Sequence, residues 1–184
     1  MITIKHKNDS YKIKNKLSEM TIDEYENVSS IISDDNKEYF EKYMDVMVYL
    51  GVPSPVVESM DLEELIQFIK VLENCKVKGF KKTIELDGCT FRAIEDGKQY
   101  PTITPKVLKL IEKVIKDKPT KNIADLLAIL FKREDEESEH YSPSHLKYKV
   151  ELFRNNLKAN VAIPYIVYIS EKILNNIKII ATNA

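Results

Sequence analysis

The segment from Phe80 to Ile94 constrains this chain's fold more than any other. Phe80-Lys81-Lys82-Thr83-Ile84-Glu85-Leu86 alternates polar and apolar residues, Asp87-Gly88 follows, and Cys89-Thr90-Phe91-Arg92-Ala93-Ile94 returns. A two-residue type I′ turn needs positive φ at both central positions. Asp and Gly tolerate that, and the twist of such a turn matches that of paired strands. An antiparallel β-hairpin is therefore predicted over about residues 80–94, within a chain whose other periodic segments are helical.

Thr21 and Glu24 form a capping box ahead of a first helix, with acids in the turn where the helix dipole favours them. A second helix starts at Asp35-Asn36-Lys37-Glu38 and places Phe40, Tyr43, Met44 and Met47 on one face, until Gly51 and Pro53 stop it. Ser54-Pro55 reads as N-cap and first residue of a short helix, and Asp61 opens another with Leu62, Leu65, Ile66, Ile69 and Leu72 as its stripe. Beyond the hairpin, Tyr100 to Ile103 is extended. Thr104-Pro105 caps a helix with Val107, Leu108, Ile111, Val114 and Ile115 inward, which Pro119 ends. Ile123 to Phe131 is apolar nearly all round and predicts a short, fully buried helix. Ser142-Pro143 begins a helix with Leu146, Val150, Phe153 and Leu157 on one side, and a final helix runs from about Ile163 to Ile180 on Ile166, Ile169, Ile173 and Ile177. The expected fold is mainly α: a single helical domain of about seven helices with one antiparallel β-hairpin.

At 184 residues the chain is long enough for one domain with a substantial core. Residues 1–18 read as a basic N-terminal arm, with Lys5, Lys7, Lys12, Lys14 and Lys16 opposed by Asp9. Such a segment is a flexible or edge-packed arm, or one that binds an acidic surface on another subunit or on nucleic acid. Residues 19–132 form the helical core with its hairpin. Residues 133–184 hold the acidic loop Glu134-Asp135-Glu136-Glu137-Ser138-Glu139 and a C-terminal helical pair, too small to fold alone and so docked on the rest.

Catalytic signatures are missing from the sequence. Four glycines leave little room for phosphate-cradling loops, and neither a P-loop, a dinucleotide fingerprint nor a nucleophile elbow occurs. His140 and His145 lie near Glu137 and Glu139, but Ser142-Pro143 interrupts any helical register between the histidines, and solvent-exposed loop residues are expected. Cys75 and Cys89 read as buried thiols in a reducing compartment, with no histidine placed locally to activate them. The acidic pairs Glu63/Glu64 and Glu95/Asp96 suit solvated faces. No catalytic, cofactor-binding or metal-ligating residue is assigned, and no cofactor is expected.

Only three of the 28 basic residues are arginine (Arg92, Arg133, Arg154), and arginine is the usual reader of base edges and phosphates. Sequence-specific nucleic-acid binding is not expected, and the lysine, isoleucine and asparagine bias fits an AT-rich genome. The first seven residues carry charges but no apolar core, so no secretory leader is expected. The longest apolar stretch, Val161 to Ile169, contains Pro164 and is too short for a membrane anchor. Tyr39, Tyr43, Tyr141, Tyr148, Tyr165 and Tyr168 lie on or beside amphipathic helices, as half-buried packing or as contacts for a partner.

Charge is unevenly placed. Glu19 to Asp45 holds nine acids and two lysines, a local charge of −7, whereas Lys76 to Lys121 holds twelve bases and six acids, a local charge of +6. Opposed lobes on a chain of net charge −1 favour head-to-tail contact, unless folding interleaves them.

The order of helices and hairpin resembles small helical proteins from the structural gene blocks of tailed bacteriophages, particularly crAss-like phages of Bacteroides. The residues that carry the resemblance are Thr21-Ile22-Asp23-Glu24-Tyr25, Thr83-Ile84-Glu85-Leu86-Asp87-Gly88-Cys89-Thr90-Phe91, Thr102-Ile103-Thr104-Pro105 and Ala124-Asp125-Leu126-Leu127-Ala128-Ile129-Leu130, over roughly residues 20–132. The resemblance implies a non-enzymatic virion component. It implies a cargo protein packed in the head or tail barrel, held by other virion proteins (portal, tail or capsid components) in multiple copies and ejected with the genome. Its location would be the virion, and the host cytoplasm during assembly. A tail-assembly chaperone is the alternative, and a small enzyme with an unrecognised site the third class.

Overall fold

The computed structural model describes residues 1–6, 9–14, 16–73, 83–93, 104–118, 121–135, 142–167 and 170. The fold is mainly α. In chain order the elements are β1 (Ile2–His6), β2 (Asp9–Ile13), α1 (Ile22–Ile32), α2 (Tyr39–Tyr49), α3 (Ser54–Glu58), α4 (Leu62–Glu73), β3 (Thr83–Leu86), β4 (Cys89–Ala93), α5 (Pro105–Asp117), α6 (Ile123–Leu130), β5 (Phe131–Arg133) and α7 (Pro143–Asn156). An eighth helix, α8, begins at residue 159 and is described to 167.

The central hairpin has the expected register. Leu86 pairs with Cys89 across the turn, and Asp87 and Gly88 take φ of 52° and 70°. Ile84, Phe91 and Ala93 point into the core. A third strand joins it: β5 lies antiparallel to β4, with Phe91 opposite Arg133 and Ala93 opposite Phe131. The helix expected through Phe131 stops at Leu130, and Phe131 turns extended, because its backbone is taken up by β4. Three residues are too few for strand periodicity to register in a sequence.

A second, separate sheet lies in the basic N-terminal segment. β1 and β2 pair antiparallel with Ile4 opposite Tyr11 and Ile2 opposite Ile13, and the side chains of Ile4 and Ile13 are buried. Their alternation with Thr3, Lys5 and Lys12 is a strand pattern that the lysine density conceals. Residues 2–6 and 9–13 are therefore paired strands as well as basic segment, and the described residues hold two sheets where a single hairpin is expected.

The core divides into two apolar clusters. One gathers Ile4, Ile13 and Met20 with the inner faces of α2, α3 and α4. The other gathers the three-stranded sheet with α5, α6, α7 and the start of α8. α1 reaches both, giving Ile22 to the second and Val28 to the first. The division drawn at residue 132 falls inside β5, and β5 and α7, on either side of the acidic segment, belong to one cluster. Within that cluster the Phe153 ring meets Phe91 edge-on at 4.9 Å, and Phe131 meets Tyr165 edge-on at 4.8 Å, a geometry aromatic quadrupoles favour.

Local signals set most boundaries. Thr21 and Glu24 make the reciprocal capping box of α1, and Thr104 and Ser142 cap α5 and α7. Gly51, with φ of 103°, follows α2 where a residue bearing a Cβ would be strained. α3 starts one residue early, at Ser54 with Pro53 before it. In α4 the buried side chains are Leu65, Phe68 and Ile69, and Leu62 in the first turn is exposed. α8 starts four residues ahead of Ile163 because the α7–α8 link is tied to the start of α1: Ile22 N–H donates to Leu157 O and Ala159 N–H to Met20 O, both at 3.0 Å. Tyr100–Ile103, Pro119 and Ile169 onward in the final stripe lie outside the described residues.

Candidate functional site

The densest grouping of charge in the interior joins α1, α5, α6 and α7. Glu26 projects from α1 on the same side as Ile22 and is buried. Its Oε1 accepts the backbone N–H of Ile123, the first residue of α6, at 2.8 Å. Asn122, the N-cap of α6, makes no capping bond of its own and instead donates from Nδ2 to Lys118 O at 2.8 Å. A carboxylate from a distant helix thus does the work of a local cap, and it sits where the α6 dipole is positive.

Arg154 closes the group from α7. Its Nη2 donates to Asp125 Oδ2 at 2.9 Å, and Asp125 Oδ1 accepts from Lys118 Nζ at 2.7 Å. Arg154 Nε faces Glu26 Oε2 at 3.9 Å, and neither atom has a hydrogen-bond partner among the described residues. Burial pushes the Glu26 carboxyl above the usual range. The Ile123 N–H and the Arg154 charge pull it back, while Asp125 and Asp23 add to the rise. Chemically this is an acid with a raised pKa, a combination that can mark general acids. Its geometry points elsewhere, because both its oxygens are turned to the α6 terminus and the guanidinium, and a side chain that is 2 % exposed meets no substrate. The group positions α6.

Lys149 is a buried cation, with Nζ donating to Phe131 O at 3.2 Å. It reaches the backbone where α6 becomes β5. Periodicity contains both signals in outline: Glu26 falls among inward positions of α1, and Lys149 falls between Leu146 and Val150, on the inward stripe of α7 with Phe153. A charged residue at an inward position is the mark that an apolar-stripe reading passes over.

Of the residues weighed for chemistry, the described ones lie on the separate elements α4, β4 and α7. His145 is exposed, with its N–H donating to Ser142 Oγ as part of the α7 cap. Glu63 and Glu64 are exposed in the first turn of α4, where Glu64 N–H donates to Asp61 Oδ1 at 3.0 Å. Cys89 is a free thiol, half-buried beside the turn and so less enclosed than expected. His140, Cys75, Glu95, Asp96, Glu137, Glu139, Tyr141 and Tyr168 lie outside the described residues. Among the described residues no group of three or more His, Cys, Asp or Glu side chains is placed to hold a metal ion, and no helix is long and apolar enough to cross a membrane.

Two surfaces carry the remaining distinctive side chains. At the start of α2, Tyr39 and Phe40 are 52 % and 43 % exposed, with their rings edge-on at 5.4 Å. Asp35, Glu38 and Glu41 are exposed around them. Other acids of this stretch are occupied within the chain: Glu19 pairs with the N-terminal amine, Glu24 with Lys14, and Asp45 with Lys37. Of the acids in this stretch, those left exposed are Asp35, Glu38 and Glu41 at the α1–α2 turn and the start of α2. On α5, Lys106, Lys109, Lys113 and Lys116 are exposed at spacings that put them along one side, opposite buried Val107 and Ile111. Of the tyrosines, Tyr148 is exposed as Tyr39 is, whereas Tyr43 and Tyr165 are core residues.

Comparison with known proteins finds no matching family model, no matching curated protein and no matching solved structure.

Proposed function

We propose that this chain is a non-enzymatic component of a tailed-phage particle, held in multiple copies by contacts with other virion proteins and packed as cargo in the head or tail barrel. The observation that carries the non-enzymatic part is the placement of its polar groups. The acid with the raised pKa, Glu26, is sealed against Arg154 and the α6 terminus, whereas the aromatic and charged side chains that meet solvent are spread over helix faces. Exposed tyrosine and phenylalanine ringed by charge is the composition of a protein-contact surface. The phage assignment rests on the resemblance carried by residues 20–132.

The experiment is the protein composition of purified particles from the phage that encodes this chain, followed through successive density gradients. A cargo protein remains at constant ratio to the major capsid protein and is lost from particles that have ejected their genome. A tail-assembly chaperone instead appears in infected-cell lysate bound to an unassembled tail protein and is absent from finished particles. Absence from both overturns the phage reading.

A further inference from the structure

We propose that the lysine side of α5 on one copy docks against the acidic α1–α2 turn of a second copy, so that the chain assembles head to tail. The inference deepens the reading of an assembled component and rests on it.

The two surfaces lie on different parts of the molecule: α5 packs on the cluster built around the three-stranded sheet, and α2 on the cluster that holds the N-terminal hairpin. They are complementary in charge. Lys109, Lys113 and Lys116 with Lys106 form the positive side, and Asp35, Glu38 and Glu41 ring the negative one, all of them exposed. Tyr39 and Phe40, 52 % and 43 % exposed, stand out from the acidic surface. An aromatic pair bordered by acids, against a row of lysines, lets the rings meet lysine stems while the opposite charges form the border. The contact is head to tail, so each pair of copies leaves one lysine side and one acidic turn open. It therefore continues into a ring or a filament and does not stop at a two-fold dimer.

The test is sedimentation of the full chain with complementary charge swaps. Lys109→Glu/Lys113→Glu reverses the basic side, and Asp35→Lys/Glu38→Lys reverses the acidic turn. Lys109→Gln/Lys113→Gln and Asp35→Asn/Glu38→Gln serve as neutral versions should a reversal fail to fold. The wild-type chain is expected to self-associate, more weakly as salt rises past about 0.1 M, where screening limits exposed charges to about 10 Å. Each reversed variant alone should associate roughly tenfold more weakly, and each neutral version should weaken in the same direction. An equimolar mixture of the two reversed variants should recover association, because the reversed side of each fits the reversed side of the other. A wild-type chain that stays monomeric, or variants that associate as the wild type does, overturns the proposal. So does a wild-type monomer that binds short duplex DNA through α5 and loses that binding in Lys109→Gln/Lys113→Gln, which would assign the lysine side to nucleic acid. A chain that is monomeric yet retained in purified particles removes this interface alone and leaves the virion assignment standing.

Discussion

The Glu26 carboxylate on α1 accepts the N–H of Ile123 at 2.8 Å and so caps α6 from 97 residues away. α6 is the most enclosed helix described, with Ala124 and Leu126 through Leu130 all buried. Its terminus has no local side-chain cap, and the bond is made where water is excluded. Removal of the carboxylate leaves an orphan N–H and takes from Arg154 the more distant of its two anions, Asp125 remaining at 2.9 Å. Glu26→Ala is therefore expected to lose about 3 kcal/mol of stability, measured by urea denaturation. A loss near that of an ordinary surface substitution would mean that α6 is held by its apolar contacts alone.

The same carboxyl gives a signed dependence on pH. Burial raises Glu26 above the usual glutamate range, so in the window between the unfolded and folded values the native state holds a proton that the unfolded state has lost. Stability from this group is full below the unfolded value and declines as pH rises through the folded one. Glu24, two residues earlier on α1, has the opposite sign. Burial pushes it up, but the bond from Lys14, the Thr21 N–H and the charges of Lys14 and Lys158 outweigh burial and hold it low. Its contribution is present above the unfolded value and lost as pH falls through the folded one. Chemical denaturation across pH should show Glu26→Gln removing a decline on the alkaline side of the glutamate range, and Glu24→Gln removing a loss on the acid side. A Glu26→Gln profile parallel to wild type would show that the carboxyl titrates normally.

The parts of the fold that could be read from the sequence are those decided within a few residues. The capping box at Thr21, the caps at Thr104 and Ser142, the stop at Gly51 and the turn at Asp87-Gly88 are each local chemistry, and each is where the residues place it. What escaped was decided by partners far along the chain. Phe131 has the composition of a helix end, but β4 is in place to pair with it, and the ladder prevails. Ile4 and Ile13 look like isolated apolar residues in a lysine-rich segment until the register sets them on one side of a hairpin. Glu26 and Lys149 show in the sequence as charges at inward positions, but their roles and that of Arg154 did not, since these depend on Ile123, Phe131 and Asp125. The charge asymmetry was visible in outline. Its focus at the α1–α2 turn was not, because that depends on which acids find lysines inside the chain.

Lys149 tests how a buried cation is accommodated. Its side chain is 1 % exposed and its ammonium bonds the backbone oxygen of Phe131, a residue of the sheet-side cluster, at 3.2 Å. Lys149→Ala removes both the bond and the volume, and should cost about 2–4 kcal/mol. Lys149→Met keeps the volume and gives up the charge, whose desolvation is itself unfavourable, so its loss should be well under half as large. Thermal melting of the two variants compares them directly. Equal losses would assign the stability to the ammonium and not to the stem.

The turn between β3 and β4 offers a test of conformation separated from packing. Gly88 has φ of +70°, and a Cβ built there meets no other atom within 4 Å. Any cost of substitution therefore comes from the left-handed backbone, and its size should follow each residue's tolerance for that region. Gly88→Asn should be the mildest, Gly88→Ala should lose about 1 kcal/mol, and the β-branched Gly88→Val should lose more, about 1–3 kcal/mol. The effect should be felt beyond the hairpin, because β4 is also the strand on which β5 is built and Phe91 packs against Phe153. Amide exchange at β5 should accordingly quicken in Gly88→Val in step with the loss of global stability. A series in which valine is tolerated as well as asparagine would show that the turn relaxes to another type, and the register from Leu86 and Cys89 outward would then have to shift with it.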